Sequence, residues 1–185
     1  MGFYEPLKKS TSRIQVKLKY AVIYQSLTGN TERIARTIYE AIESDMKQLI
    51  DIENLDTIPE ADVYFVGFNV HNDNCSIQII DCLEQITGGY IALFCSCGYV
   101  PTDEYKLFIE NKLKVWLPDD TEYMGMYMCQ GRVQEEQKEL MYRDRQDKKE
   151  ILDRMFDIGE SHPDMQDFTD AMDFSKQVQT RIETE

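Results

Sequence analysis

Between residues 24 and 31 the chain reads Tyr24-Gln25-Ser26-Leu27-Thr28-Gly29-Asn30-Thr31, and this short segment concentrates groups that bind a phosphate. Ser26, Thr28 and Thr31 bring hydroxyls, Asn30 brings a donor amide, and Gly29 lets the backbone approach a ligand closely. The turn follows an apolar run, Tyr20-Ala21-Val22-Ile23-Tyr24, and precedes a helical pattern. A strand that turns into a helix presents unpaired backbone N–H groups and the positive end of the helix dipole at one point, which attracts anions. No lysine lies in the turn. Uncharged donors suit a phosphomonoester that is held rather than transferred, so the segment reads as a cofactor anchor.

Other reactive groups are sparser. The cysteines Cys75, Cys82, Cys95, Cys97 and Cys129 form neither an even disulfide set nor a C-x-x-C pair. They read as reduced structural thiols in a reducing compartment. Cys95 and Cys97 flank Ser96 at the end of an apparent strand, where small thiols fill tight space. The histidines, His71 and His162, stand far apart in sequence, so no zinc site is expected. No cluster of nucleophile, histidine and acid is evident, and no catalytic residue is assigned.

The elements that must position the turn follow from periodicity. Strands are expected at Leu18–Tyr24, Met46–Glu53, Val63–Phe68, Tyr90–Cys95 and Glu122–Cys129. In the last of these, Tyr123, Gly125, Tyr127 and Cys129 alternate with Met124, Met126 and Met128. Helices are expected at Thr31–Ser44, with Ile34, Ile38, Ala41 and Ile42 inward, and at Ser76–Thr87, with Ile79, Ile80, Leu83 and Ile86 inward. A further helix over Glu104–Lys114 carries Tyr105, Phe108, Ile109 and Leu113. The stretch 134–158 is helical but holds a solvated charge run at 143–150, and reads as a connecting helix or an insertion. A final helix opens after His162-Pro163-Asp164 and runs to Ile182.

Strands alternating with helices imply an α/β fold, a parallel sheet with helices on both faces. The organisation read here is an N-terminal arm at 1–17 followed by one domain at 18–185. In such a sheet ligands sit beyond the carboxyl ends of the strands. Three segments fall there: Gln25–Thr31, Asn69–Ser76 and Ser96–Thr102.

Composition narrows the partners. The formal net charge of −14 argues against nucleic acid, whose phosphates would be repelled. It favours transient encounters with basic protein surfaces. No apolar run approaches the roughly 20 residues of a membrane span, and the first ten residues lack the apolar core of a secretory signal, so a cytoplasmic chain is expected.

Ser26-Leu27-Thr28-Gly29-Asn30-Thr31 resembles the phosphate loop of the flavodoxin family, with its pattern [ST]-x-T-G-x-T. The run Asp62–Phe68 matches as third strand and Tyr90–Cys97 as fourth. The resemblance implies a doubly wound five-stranded parallel sheet in the order 2-1-3-4-5 and FMN as cofactor. It implies phosphate contacts at Ser26, Leu27, Thr28, Gly29, Asn30 and Thr31. It places Asn69, Val70, His71, Asn72 and Asp73 in a first loop around the flavin ring, and Cys95, Ser96, Cys97, Gly98 and Tyr99 in a second. Tyr99 is the candidate stacking aromatic. The first ring loop lacks the glycine that many members carry there, and Asn72 or Asn74 would take its positive φ.

An acidic protein around a buried ring disfavours further negative charge on it, which lowers its reduction potential. The function this implies is electron transfer between a reductase and an acceptor enzyme, through transient electrostatic contacts. An NAD(P)H-dependent FMN or quinone reductase on the same scaffold is the alternative. A receiver-type module would need an aspartate where Asn69 stands, and an FMN-free binding module would not need the hydroxyl set of the turn.

Overall fold

The computed structural model describes residues 17–184. The expected N-terminal arm lies outside them except for Lys17. Five parallel strands form one sheet: β1 (Tyr20–Tyr24), β2 (Lys47–Asp51), β3 (Val63–Asn69), β4 (Tyr90–Cys97) and β5 (Glu122–Gln130). Their order is β2-β1-β3-β4-β5, as the resemblance implied. The central β1, β3 and β4 are buried on both faces, which is why their sequences are continuous apolar runs.

Helices α1 (Asn30–Ala41) and α6 (Met165–Thr184) cover one face, burying Ile34, Ala35 and Ile38 of the first and Ala171, Val178 and Ile182 of the second against Val22, Phe65 and Phe94. Helices α2 (Ile77–Gln85) and α3 (Asp103–Lys114) cover the other with Ile79, Leu83, Ile109 and Leu113. Ser76 and Thr102 cap these two, each side-chain oxygen accepting a backbone N–H from its own first turn. Of the apolar residues this helix carries, Phe108 is 46% exposed; it stacks on Tyr105 and is covered by the Lys112 ammonium.

Two sequence expectations change in β5 and beyond. A bulge lies where Ile91 pairs with Tyr123 and Ala92 with Gly125, leaving Met124 between them and Gly125 at φ 112°. The simple alternation is therefore broken. Tyr123 joins Met126 and Met128 against α2 and α3, while Met124 joins Tyr127 and Cys129 on the α1–α6 face. The stretch 134–158 is not one helix. It comprises α4 (Glu135–Asp144), a 3-10 turn (Gln146–Lys148) and α5 (Lys149–Gly159). A small core of Val133, Leu152, Met155 and Phe156 holds it, with Tyr99 and Met141 packed alongside. No described helix is long and apolar enough to cross a membrane.

Candidate functional site

The expected phosphate turn is the β1–α1 connection at the carboxyl edge of the sheet. Gly29 caps α1 with φ 84°, a left-handed conformation that a side chain would strain. Around it the hydroxyls divide their work. Ser26 Oγ accepts the Glu32 N–H at 3.1 Å, and Thr28 Oγ1 accepts Asn30 Nδ2 at 3.0 Å, so both oxygens retain a hydroxyl proton to donate. The second Asn30 amide hydrogen goes to the Arg132 carbonyl at 2.9 Å. Asn30 thus shapes the turn, because both of its amide hydrogens already have partners, instead of offering them to an anion. Thr31 is buried, with its hydroxyl 2.8 Å from Ser96 Oγ, and ties the turn to β4. Leu27 projects outward at the tip.

The segment expected as the first ring loop folds into a tight hairpin in which His71 and Asn74 exchange backbone hydrogen bonds of 2.9 and 3.1 Å. Asn72 and Asp73 form its tip at φ 49° and 57°. The substitution expected for the missing glycine therefore falls on Asn72, joined by Asp73, and not on Asn74. Two contacts from α3 brace the hairpin: the Tyr105 hydroxyl donates to Asp73 Oδ1 at 2.9 Å, and Lys112 Nζ donates to the Asp73 carbonyl at 3.0 Å. Burial, and then the Asp73 carboxylate, push the Tyr105 phenol well above its ordinary range, so it stays a donor. Asn69 ends β3, paired with Ser96, and Val70 N–H donates to the Ser96 carbonyl at 2.9 Å.

Part of the segment expected as a second ring loop is strand. β4 continues through Cys97, and Cys95, Ser96 and Cys97 are buried strand residues. Pairing with β3 on one side and with a nine-residue β5 on the other prolongs the strand by two residues. Cys97 Sγ donates to the Tyr99 carbonyl at 3.2 Å. Burial raises the Cys97 thiol to about 12 and the Cys95 and Cys129 thiols well above their usual value. All five cysteines are free. The loop proper is Gly98 and Tyr99 onward.

Between the two loops lies a cavity of about 400 Å³, a size suited to a small planar ligand. Val70, His71, Asn72 and Asp73 form one side, and Gly98 and Tyr99 another. The remaining walls are not among the expected site residues: Tyr105, Val133, and Gln137, Leu140, Met141, Asp144 and Arg145 from the region of α4. Tyr99 meets Tyr105 edge-on at 5.8 Å, and the Arg145 guanidinium lies 5.6 Å from the Tyr99 ring centre. The segment after β5 joins turn to cavity. Gly131 N–H donates to the Cys97 carbonyl at 2.8 Å, Arg132 carries Asn30, and Val133 faces the cavity.

Elsewhere, ligand atoms of His162, Asp164 and Asp167 approach within 4.8 Å of one another. Their bonds describe a helix cap. Asp164 Oδ1 accepts the N–H of Gln166 and Asp167, while Asp167 Oδ2 accepts the N–H of Asp164 and contacts His162 Nδ1. The Asp167 N–H and then that of Gln166 hold the Asp164 carboxyl below its ordinary value of 3.8.

A flavodoxin-domain family model matches residues 21–176. The chain belongs to the flavodoxin family. It is 33% identical over 175 residues to the flavodoxin-like domain-containing protein BilS of Clostridioides difficile (strain CD3), covering 87% of this chain and 96% of that one. Among solved structures, the flavodoxin of Streptococcus pneumoniae TIGR4 superposes with a TM-score of 0.56 at 16% identity, over 88% of this chain and 98% of that one. Rubredoxin oxygen:oxidoreductase of Desulfovibrio gigas gives a TM-score of 0.59 at 13% identity over 90% of this chain, which spans 36% of that longer one. These two likenesses concern the fold. Membership of the flavodoxin family supports a flavin-binding redox protein.

Proposed function

We propose that this chain binds FMN and carries electrons between a reductase and an acceptor enzyme in the cytoplasm. The observation that supports this most is the meeting of two features at one sheet edge. A turn with donor hydroxyls opens α1, and a cavity bounded by an aromatic ring lies beyond β3 and β4; residues 131–133 bridge the two. The residues present suit FMN. Ser26 and Thr28 with the first N–H groups of α1 would hold the phosphate. Val70, Tyr99, Val133 and Met141 supply apolar and aromatic surface for the ring, and polar backbone at the hairpin tip supplies hydrogen-bond partners at its edge.

FMN when bound supplies one- and two-electron chemistry at its ring. The chain's own part is to bind, orient and shield that ring. Tyr105 fixes the hairpin through Asp73, and α4 lends Gln137, Leu140, Met141 and Asp144 to the cavity wall. The formal charge of −14 suits fast, weak encounters with basic redox partners.

Titration with FMN, followed by addition of NADPH, tests the proposal. The protein should turn yellow with saturable quenching of flavin fluorescence, and should leave NADPH unoxidised until a reductase is supplied. Rapid NADPH oxidation by the protein alone would replace this reading with that of an NAD(P)H-dependent reductase. A protein that ignores FMN would leave the fold without this function.

A further inference from the structure

We infer that Arg132 supplies the positive charge that the phosphate turn lacks, exchanging its ion pair with Glu160 for the phosphate of the bound flavin and so setting a preference for FMN over riboflavin. The inference rests on the FMN reading above and concerns a residue outside the turn.

A phosphomonoester carries between one and a half and two negative charges near neutral pH, roughly. Residues 25–31 contain no cation to meet that charge. Two arginines near the start of α1 are engaged elsewhere. The Arg33 guanidinium lies 4.9 Å from the centre of the Phe168 ring of α6, and Arg36 pairs with Glu32 at 2.7 Å. Arg132 follows the edge strand β5, yet its main chain is fixed against the turn. Its carbonyl accepts from Asn30, the first residue of α1, and its N–H donates to the His162 carbonyl at 3.0 Å. The long side chain therefore pivots from a point beside the helix start.

The present partner of that side chain is one it can leave. Arg132 Nη2 lies 2.9 Å from Glu160 Oε1, with the two side chains 53% and 50% exposed. A pair this open to water contributes little to stability. A guanidinium on a phosphate gains shorter, charge-assisted hydrogen bonds in a fork that matches the anion. Glu160 is also not stranded by the exchange, because Lys138 Nζ already lies 3.5 Å from its other oxygen. Charge and geometry thus both favour moving the guanidinium from carboxylate to phosphate.

The test compares FMN with riboflavin, which lacks the phosphate, by fluorescence quenching in the whole chain and in Arg132→Gln, Arg132→Lys and Glu160→Gln. Arg132→Gln should weaken FMN binding about tenfold or more, leaving riboflavin unchanged. Arg132→Lys should restore part of the loss. Glu160→Gln should leave FMN binding equal or tighter, since it frees the arginine and removes a nearby negative charge. If the ion pair is merely a brace, Arg132→Gln and Glu160→Gln will weaken both flavins alike, and the inference fails. It fails too if Arg132→Gln leaves the ratio of FMN to riboflavin affinity unchanged. An unaltered chain that binds neither flavin overturns the FMN reading itself.

Discussion

Gly131 sits so close to Asn30 that a β-carbon on it would lie 2.6 Å from the Asn30 Nδ2 and 2.9 Å from its Cγ. The segment just after β5 is pressed against the β1–α1 turn at this point, and the Asn30 amide bridges Thr28 and Arg132 across the contact. Gly131→Ala should push Asn30 away and break that bridge. We expect FMN affinity to fall by about 1–3 kcal/mol, measured by fluorescence titration; unchanged affinity would separate the bridge from ligand binding.

The two threonines of the turn should respond differently. Thr28→Val removes the hydroxyl proposed to donate to the phosphate and should weaken FMN binding by ~1–3 kcal/mol, with a smaller change in the melting of the free protein from the lost part-buried contact to Asn30. Thr31→Val removes a buried bond to Ser96 instead. It should lower the stability of the free protein by about 1–3 kcal/mol. Denaturant titrations of both variants without flavin, beside flavin titrations, distinguish the roles.

Much of this architecture is legible in the chain itself. Continuous apolar runs betray β1, β3 and β4 because both of their faces are covered, and the hydroxyl-rich turn marks the edge where a ligand would sit. The β5 bulge is harder to read, since strict alternation through Tyr123–Cys129 looks regular. The glycine within the strand, Gly125, is the sign that its phase slips. Cys95–Cys97 resemble a loop because polar Ser96 interrupts the run, yet its hydroxyl is satisfied internally by Thr31. The α4 wall of the cavity is hidden for another reason. Its anchors, Leu152, Met155 and Phe156, are few, and the neighbouring charge run masks their helical spacing.

Core packing gives a stability prediction. A β-carbon on Gly67 of β3 would lie 2.0 Å from the ring of the fully buried Phe94. Gly67→Ala should therefore destabilise the protein by about 3 kcal/mol or more. Adding Phe94→Leu should recover part of that loss, as expected when two changes share one space. Urea denaturation of the two single variants and the double variant measures the coupling.

Thiol chemistry should be slow. Burial raises Cys75 to about 11 and Cys82 and Cys97 to about 12, so almost no thiolate is present near neutral pH. Labelling the native protein with a disulfide reagent should modify the half-buried Cys75 first and slowly, and reach all five after unfolding. Fast reaction at Cys97 would contradict this burial.

The cap of α6 sets an acid sensitivity. Because the folded Asp164 carboxyl titrates below its ordinary value of 3.8, the unfolded chain holds the proton more tightly. The cap's contribution is complete above that value and is lost as pH falls through the lower folded one. Comparing the melting of the unaltered protein with Asp164→Ala near neutral pH, and again well below 3.8, should show the gap narrowing in acid. A gap that is constant or widens would rule out the charged cap.

Helix α4 buries none of its own residues, although it walls the cavity. The molecule therefore entrusts its folding to one set of side chains and the outline of this cavity to another. Gln137, Leu140, Asp144 and Arg145 can be exchanged with slight consequence for the sheet behind them. If the cavity holds the flavin as proposed, these positions form a panel whose shape and charge can be redrawn without touching the β1–α1 turn.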